Sequence, residues 1–147
     1  MPPVSIRLGL WEVQRRCCLY TGTPLPKPGA AAVSSLDHVV PWSRVRISAV
    51  ENFVLTTRPV NSAKSSMLLA PDLIRRWSDH VGEHGETMRV LASEHGWPVD
   101  LGRVTGVAKA LYRRAGDGTA TWAAPGKVVL LDEAGRAKIE EALSAVS

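Results

Sequence analysis

The stretch LDHVVPWSRVRISAVENFVLTTRPVNSAKSS, residues 36–66, decides how this chain is read. It lies at the end of a β-prone run, Val33 to Val40, that stops at Pro41. The residue before a proline is pushed to extended backbone, and the proline has no N–H to give to a ladder. Phe53-Val54-Leu55 reads as a second strand, after a linker bearing Arg44 and Arg46. Thr56-Thr57-Arg58-Pro59 then reads as a helix start, because threonine is a good N-cap and a proline in the first turn forfeits no hydrogen bond. That helix runs through Asn61 and Lys64. The expectation is a β-hairpin followed by a short helix, with polar residues at the edge of each element.

Those polar residues form a constellation with a chemical logic. Phosphodiester hydrolysis needs a nucleophilic water, a base to deprotonate it, and positive charge for the crowded transition state and the departing oxyanion. His38, at the end of the first strand, can be the base, since its ordinary pKa lies near neutrality. Asp37 and the amide oxygen of Asn61 are hard oxygen donors of the kind Mg²⁺ accepts. Lys64, three residues after Asn61, shares its helix face and is expected to contact the phosphate.

In order and in residue type, LDHVVPWS (36–43), NFVLTT (52–57) and NSAKSS (61–66) resemble the three successive blocks of the HNH, or ββα-metal, endonucleases. The nine-residue step from Asn52 to Asn61 and the three-residue step to Lys64 are similar to those in the HNH domain of the large CRISPR effector nucleases. CLYTGTPL (18–25) resembles the segment those domains place before the hairpin, and Trp11 with the run from Lys64 to Trp77 is similar to bacterial stand-alone HNH proteins. The resemblance covers residues 10–78. It implies an α+β protein with a ββα-metal nuclease domain in residues 1–78; residues 79–147 read as a mainly helical extension, whose last strand and helix could form a small winged-helix-like unit.

The same resemblance implies that His38 is the general base, that Asp37 and Asn61 hold Mg²⁺ or Mn²⁺, and that Asn52 is a positioning residue bracing the loop that carries His38. DNA is the implied substrate, with 5′-phosphate and 3′-hydroxyl products; an RNA-directed or structure-specific nuclease would use the same three blocks. Two positions depart from the family pattern. Asn61 stands where histidine is frequent, which disfavours softer ions such as Zn²⁺. Cys18 and Thr21 stand where many relatives have CxxC, so a structural zinc is not expected and apolar packing must hold the hairpin. The competing reading is a binding module that keeps this fold without catalysis.

Outward from this stretch, the composition is that of a folded body. The chain has 147 residues, 45% hydrophobic and 22% charged, which suits one domain with a real core rather than a disordered chain. No apolar run exceeds four residues, so neither a membrane span nor a signal-peptide core is present, and a cytoplasmic protein is expected. The net charge of +4 is unevenly spread: residues 1–66 hold eight basic and three acidic residues, residues 67–147 ten and eleven. A basic segment on an otherwise balanced chain points to a polyanion, and Arg44, Arg46 and Arg58, flanking the hairpin, are the expected nucleic-acid contacts, with Arg113-Arg114 a weaker pair. The only cysteines, Cys17 and Cys18, are adjacent, which fits reduced thiols packed as small apolar groups.

Beyond the hairpin the pattern predicts helices over Asp72 to His80, Glu86 to Glu94 and Gly106 to Arg114, then a strand over Lys127 to Leu131 and an amphipathic helix over Glu133 to Val146. Gly82 and Gly85 argue for a break between the first two, which would leave His80 and His84 as exposed polar residues at a helix end. His95 reads as a helix C-terminal residue, Trp42 as packing under the site, and Trp11, Trp77, Trp97 and Trp122 as anchors of the core. Residues 79–147 are left as the source of specificity or as the surface for a protein partner or a second copy.

Overall fold

The computed structural model describes residues 2–29 and 34–146. The β-prone run begins in residues 30–33, which lie outside the described part; from Ser34 to His38 it forms strand β1. Strand β2, Phe53–Thr57, pairs with it antiparallel, Ser34 opposite Thr57 and His38 opposite Phe53. Helix α2, Arg58–Lys64, follows with no intervening loop. Thr57 caps it, its hydroxyl accepting from the Val60 amide at 3.2 Å, and Pro59 occupies the first turn. The hairpin and helix are thus where the sequence puts them.

The connection between the strands, residues 39–52, is too long for a tight turn and is held from inside. Asn52 is completely buried at the end of a single 3₁₀ turn, Val50–Asn52. Its side-chain oxygen accepts from Val40 N at 2.8 Å, while its amide donates to Val40 O and Ile47 O, both at 3.2 Å. Three backbone groups of the loop that follows His38 therefore depend on one side chain. Asn52→Ala would leave them buried without partners, and a loss of about 3 kcal/mol in unfolding free energy, read by urea titration, is expected; a loss below about 0.5 kcal/mol would refute this bracing role.

Before the hairpin stands helix α1, Val4–Val13, and after α2 comes helix α3, Pro71–Glu94. The expected break in α3 is absent: its 24 residues run unbroken through Gly82 and Gly85. Each interior glycine costs about 1 kcal/mol relative to alanine. Burial of Leu73, Ile74, Trp77, Val81, Met88 and Ala92 along the helix outweighs that cost. A Cβ at Gly82 would make only an ordinary contact, 3.5 Å, with Val146 of helix α5, Glu133–Val146. Positions 78 and 79 are consecutive residues in the middle of α3.

Helix α4, Leu101–Arg114, is capped by Asp100 through Arg103 N at 3.1 Å, and Arg113 near its end pairs with Glu140 of α5. The expected strand near the C-terminus is one half of a two-stranded ribbon, β3 (Ala120–Ala124) with β4 (Lys127–Leu130). β3 was not legible because ATWAA lacks the β-branched alternation that marks a strand. It owes its extended state to long-range bonds: Trp122 N donates to Leu68 O and Ala70 N to Trp122 O, both at 2.8 Å.

A single apolar core joins all of this. Ile6 and Leu10 of α1, Val54 and Leu55 of β2, Trp77 of α3, Val104 of α4 and Leu143 of α5 belong to one continuous cluster. Trp11, Trp77 and Trp122 are buried in it as expected, and Trp97 is half-buried against it. Trp42 departs from expectation: it is 43% exposed. His80 departs in the opposite sense, at only 8% exposed. With α3 continuous, the position that looked like a frayed end is the interior of a packed helix.

Burial holds the pKa of His80 down to about 4, with nearby His84 acting in the same direction and Glu83 opposing it. The unfolded chain should titrate this group near 6.5, so it binds the proton that the folded chain refuses. Stability tied to His80 is therefore complete above about pH 6.5 and is lost as pH falls towards 4, amounting to about 3 kcal/mol. Urea midpoints at pH 7.5 and 4.5 should show a smaller acid loss in His80→Leu than in the parent chain. Equal losses would contradict a neutral, buried His80.

Candidate active site

The end of β1 and the face of α2 meet around Asp37. Its carboxylate is 6% exposed and is held on two sides. The Tyr20 hydroxyl donates to Oδ2 at 2.6 Å, and Lys64 Nζ lies 3.1 Å from the same oxygen and 3.5 Å from Oδ1. Lys64 also donates to His38 O at 3.0 Å and is completely buried. Its expected place at a phosphate gives way to an internal one: the ammonium is committed to Asp37 and to the backbone of His38, out of reach of solvent. Burial lowers the Lys64 pKa while Asp37 pulls it back up, and burial together with Asp37 raises that of the Tyr20 phenol well above its ordinary value.

Asn61, one helical turn before Lys64, donates from Nδ2 to Ser35 Oγ at 2.8 Å. Ser35 and Asp37 lie on the same side of β1 by the two-residue alternation of a strand. Fixing the nitrogen of the amide leaves its oxygen as the group available to the cleft. His38 packs its ring against Phe53, its cross-strand partner, at 4.9 Å between centroids, and against Trp42 at 5.2 Å. Burial lowers its pKa below the ordinary value, with Lys64 adding to the effect and Asp37 opposing it. A neutral imidazole at physiological pH follows, which is the form a general base requires.

Asp37, His38 and Asn61 line one open cleft of about 340 Å³, together with Pro41, Trp42 and the end of α2 at Ser65 and Ser66. Ser65 ends α2 at φ 51°, a left-handed turn that a non-glycine residue adopts only under constraint. Asn52 is not in the cleft; it acts one layer below, through the loop. Arg44 is exposed and ties that loop to α2 by donating to Ser66 O at 3.0 Å. Arg46 and Arg58 are exposed as well, Arg46 with its guanidinium 5.9 Å from the Trp42 ring centroid. Sequence reasoning assigned no role to Tyr20 or Ser35, and only long-range contact reveals them. Gln14 was equally silent, yet it grips β2 at Leu55, donating to O at 2.9 Å and accepting from N at 2.8 Å.

The donor set suits a hard divalent ion. Asp37 and Asn61 offer oxygen only, and among the described residues no group of three or more His, Cys, Asp and Glu side chains comes together to hold a metal. Residues 18–68 match the model of a family described as HNH endonuclease, and this match spans the hairpin, α2 and every residue of the cleft. Over these residues the chain is similar to the HNH endonucleases. No curated protein and no solved structure matches it. The HNH domain is the α+β part of the molecule that holds the hairpin, and the helices α3 to α5 with the β3–β4 ribbon make up the largely helical C-terminal part. No helix among the described residues is long and apolar enough to cross a membrane.

Proposed function

We propose that this HNH domain is a metal-dependent endonuclease that hydrolyses DNA, with His38 as its general base. One observation carries the reading: a neutral imidazole, a carboxylate and an amide oxygen, drawn from β1 and α2, converge on a single open cleft. His38 takes a proton from the attacking water at its ring nitrogen as the water oxygen bonds to phosphorus; the P–O3′ bond breaks, and the 3′ oxygen leaves and takes a proton from solvent. Asp37 and Asn61 would hold Mg²⁺ or Mn²⁺, which would stabilise charge on the phosphate and the leaving oxygen. Phe53 and Trp42 fix the plane of the imidazole, and Lys64 fixes the backbone that carries it. Arg46 and Arg58 supply exposed charge for the flanking phosphates, with Arg44 beside them.

Supercoiled plasmid incubated with Mg²⁺, Mn²⁺ or EDTA tests this. Nicking is expected with either ion, none in EDTA, and at least a hundredfold slower nicking in Asp37→Ala and Asn61→Ala. Nicking that survives EDTA undiminished would refute the metal-dependent mechanism. A binding-only module has one observation in its favour, the pairing of Lys64 with Asp37, which neutralises the one carboxylate of the cleft. DNA binding that persists in EDTA, with no cleavage of DNA or RNA under any ion, would establish that reading.

A further inference from the structure

Trp42 is the one aromatic among the large exposed hydrophobic side chains of the described residues. Trp11, Trp77 and Trp122, by contrast, are each at most 8% exposed. The first step of an account is local: Pro41 opens a turn, Arg44 N donating to Pro41 O at 2.9 Å, and this turn carries Trp42 outwards. The His38 ring packs against the indole at a tilt of 41°, and the Arg46 guanidinium lies over the indole ring at 5.9 Å from its centroid, loosely enough for a base to displace it. The side chain lines the cleft of Asp37, His38 and Asn61, and also a second cleft, which Arg58 and Trp97 share. A large π-surface therefore sits next to the base that would activate water, among the cations that would hold the adjoining phosphates.

We propose that Trp42 stacks on the nucleobase next to the scissile phosphate and so favours strands in which that base is unpaired. This rests on the nuclease reading of the cleft. The physical reason is access. In an intact duplex both faces of each base are covered by its neighbours, whereas a base at a bulge, branch or single-stranded segment has a face to offer. Arg46, already beside the ring, is placed to take the phosphate of the same nucleotide. A stacking contact of this kind changes affinity about tenfold to a hundredfold.

The test uses the full chain and one oligonucleotide sequence in two forms, fully paired and with a three-nucleotide bulge, cut with Mg²⁺ or Mn²⁺. The expected result is at least tenfold higher kcat/KM on the bulged form. Trp42→Ala should remove that preference through KM, over and above any fall in kcat that both forms share from the loss of its packing on His38, and Trp42→Phe should keep most of it. In parallel, 2-aminopurine placed in the bulge reports stacking in EDTA, where no cleavage is needed; the parent chain should quench it and Trp42→Ala should not. Equal cutting of both forms, or a Trp42→Ala loss in kcat alone that is the same on both, would overturn the proposal and leave Trp42 as a prop for His38. Quenching without cleavage under any ion would defeat the nuclease reading and leave the stacking contact standing. Cleavage without quenching would do the reverse, and no binding to either form would show that the patch serves something other than nucleic acid.

Discussion

His38→Ala is expected to lower nicking of supercoiled DNA by 10²- to 10⁴-fold while leaving the fold in place. The range is what a positioned general base contributes. Retention of the fold follows from the environment: the ring is only half-buried, at the end of β1, between the exposed Trp42 and the buried Phe53. Its backbone, which carries the structural load, is unchanged by the substitution, so Lys64 can still donate to residue 38 O and the ladder with Phe53 persists. Circular dichroism and a thermal midpoint within a few degrees of the parent chain should accompany the loss of activity. Nicking at the parental rate would remove His38 from the chemistry altogether, and the cleft would have to work without a base.

Lys64→Met is the second large effect, and it separates two roles for one residue. A lysine that only touched phosphate would, when replaced, cost binding and leave stability unaltered. A lysine buried against Asp37 does the opposite. Its removal strands a carboxylate that is 6% exposed, with the Tyr20 hydroxyl as its remaining hydrogen-bond donor among those described. Breaking a buried pair from one side costs about 3–5 kcal/mol. For a chain of this length each kcal/mol moves the melting temperature by about 2–4 °C, so a fall of about 10 °C is expected. Asp37→Asn added to Lys64→Met should recover much of that loss, since it removes the unpaired charge, although activity would stay low because the carboxylate is gone. A Lys64→Met chain that melts like the parent would refute the buried pair.

The contrast between these residues shows how far the sequence could be read. DHVVP and NSAKSS placed Asp37, His38 and Asn61 on the correct elements because strand, proline stop and N-cap are local signals. The three side chains meet because β2 passes directly into α2 with no loop to misjudge. Lys64 was on the correct helix face but at the wrong depth, since periodicity gives direction and says nothing about how closely the neighbouring strand approaches. The unbroken α3 was hidden because a glycine's helix cost is local and visible, whereas the burial that outweighs it comes from α1 and α5. His80 and Trp42 were exchanged in burial for the same reason. Arg15 and Arg16, two consecutive residues with positive φ after α1, have no local signal at all.

The C-terminal ribbon reaches the cleft by a short route. Trp122 of β3 meets Tyr20 edge to face at 5.6 Å, and Tyr20 in turn holds Asp37. From the other direction, Trp97 donates to Ser48 O, Pro98 accepts from Val50 N, and Asp100 N donates to Glu51, so the loop behind His38 is laced to the start of α4. Residues that a motif search would treat as an appendage are thus the outer wall of the mould in which the cleft is cast. In a library of random substitutions, Trp122 and Trp97 should tolerate change as poorly as the motif residues themselves, and a nuclease built by transplanting residues 18–68 alone would inherit the motif without the shape that gives it meaning.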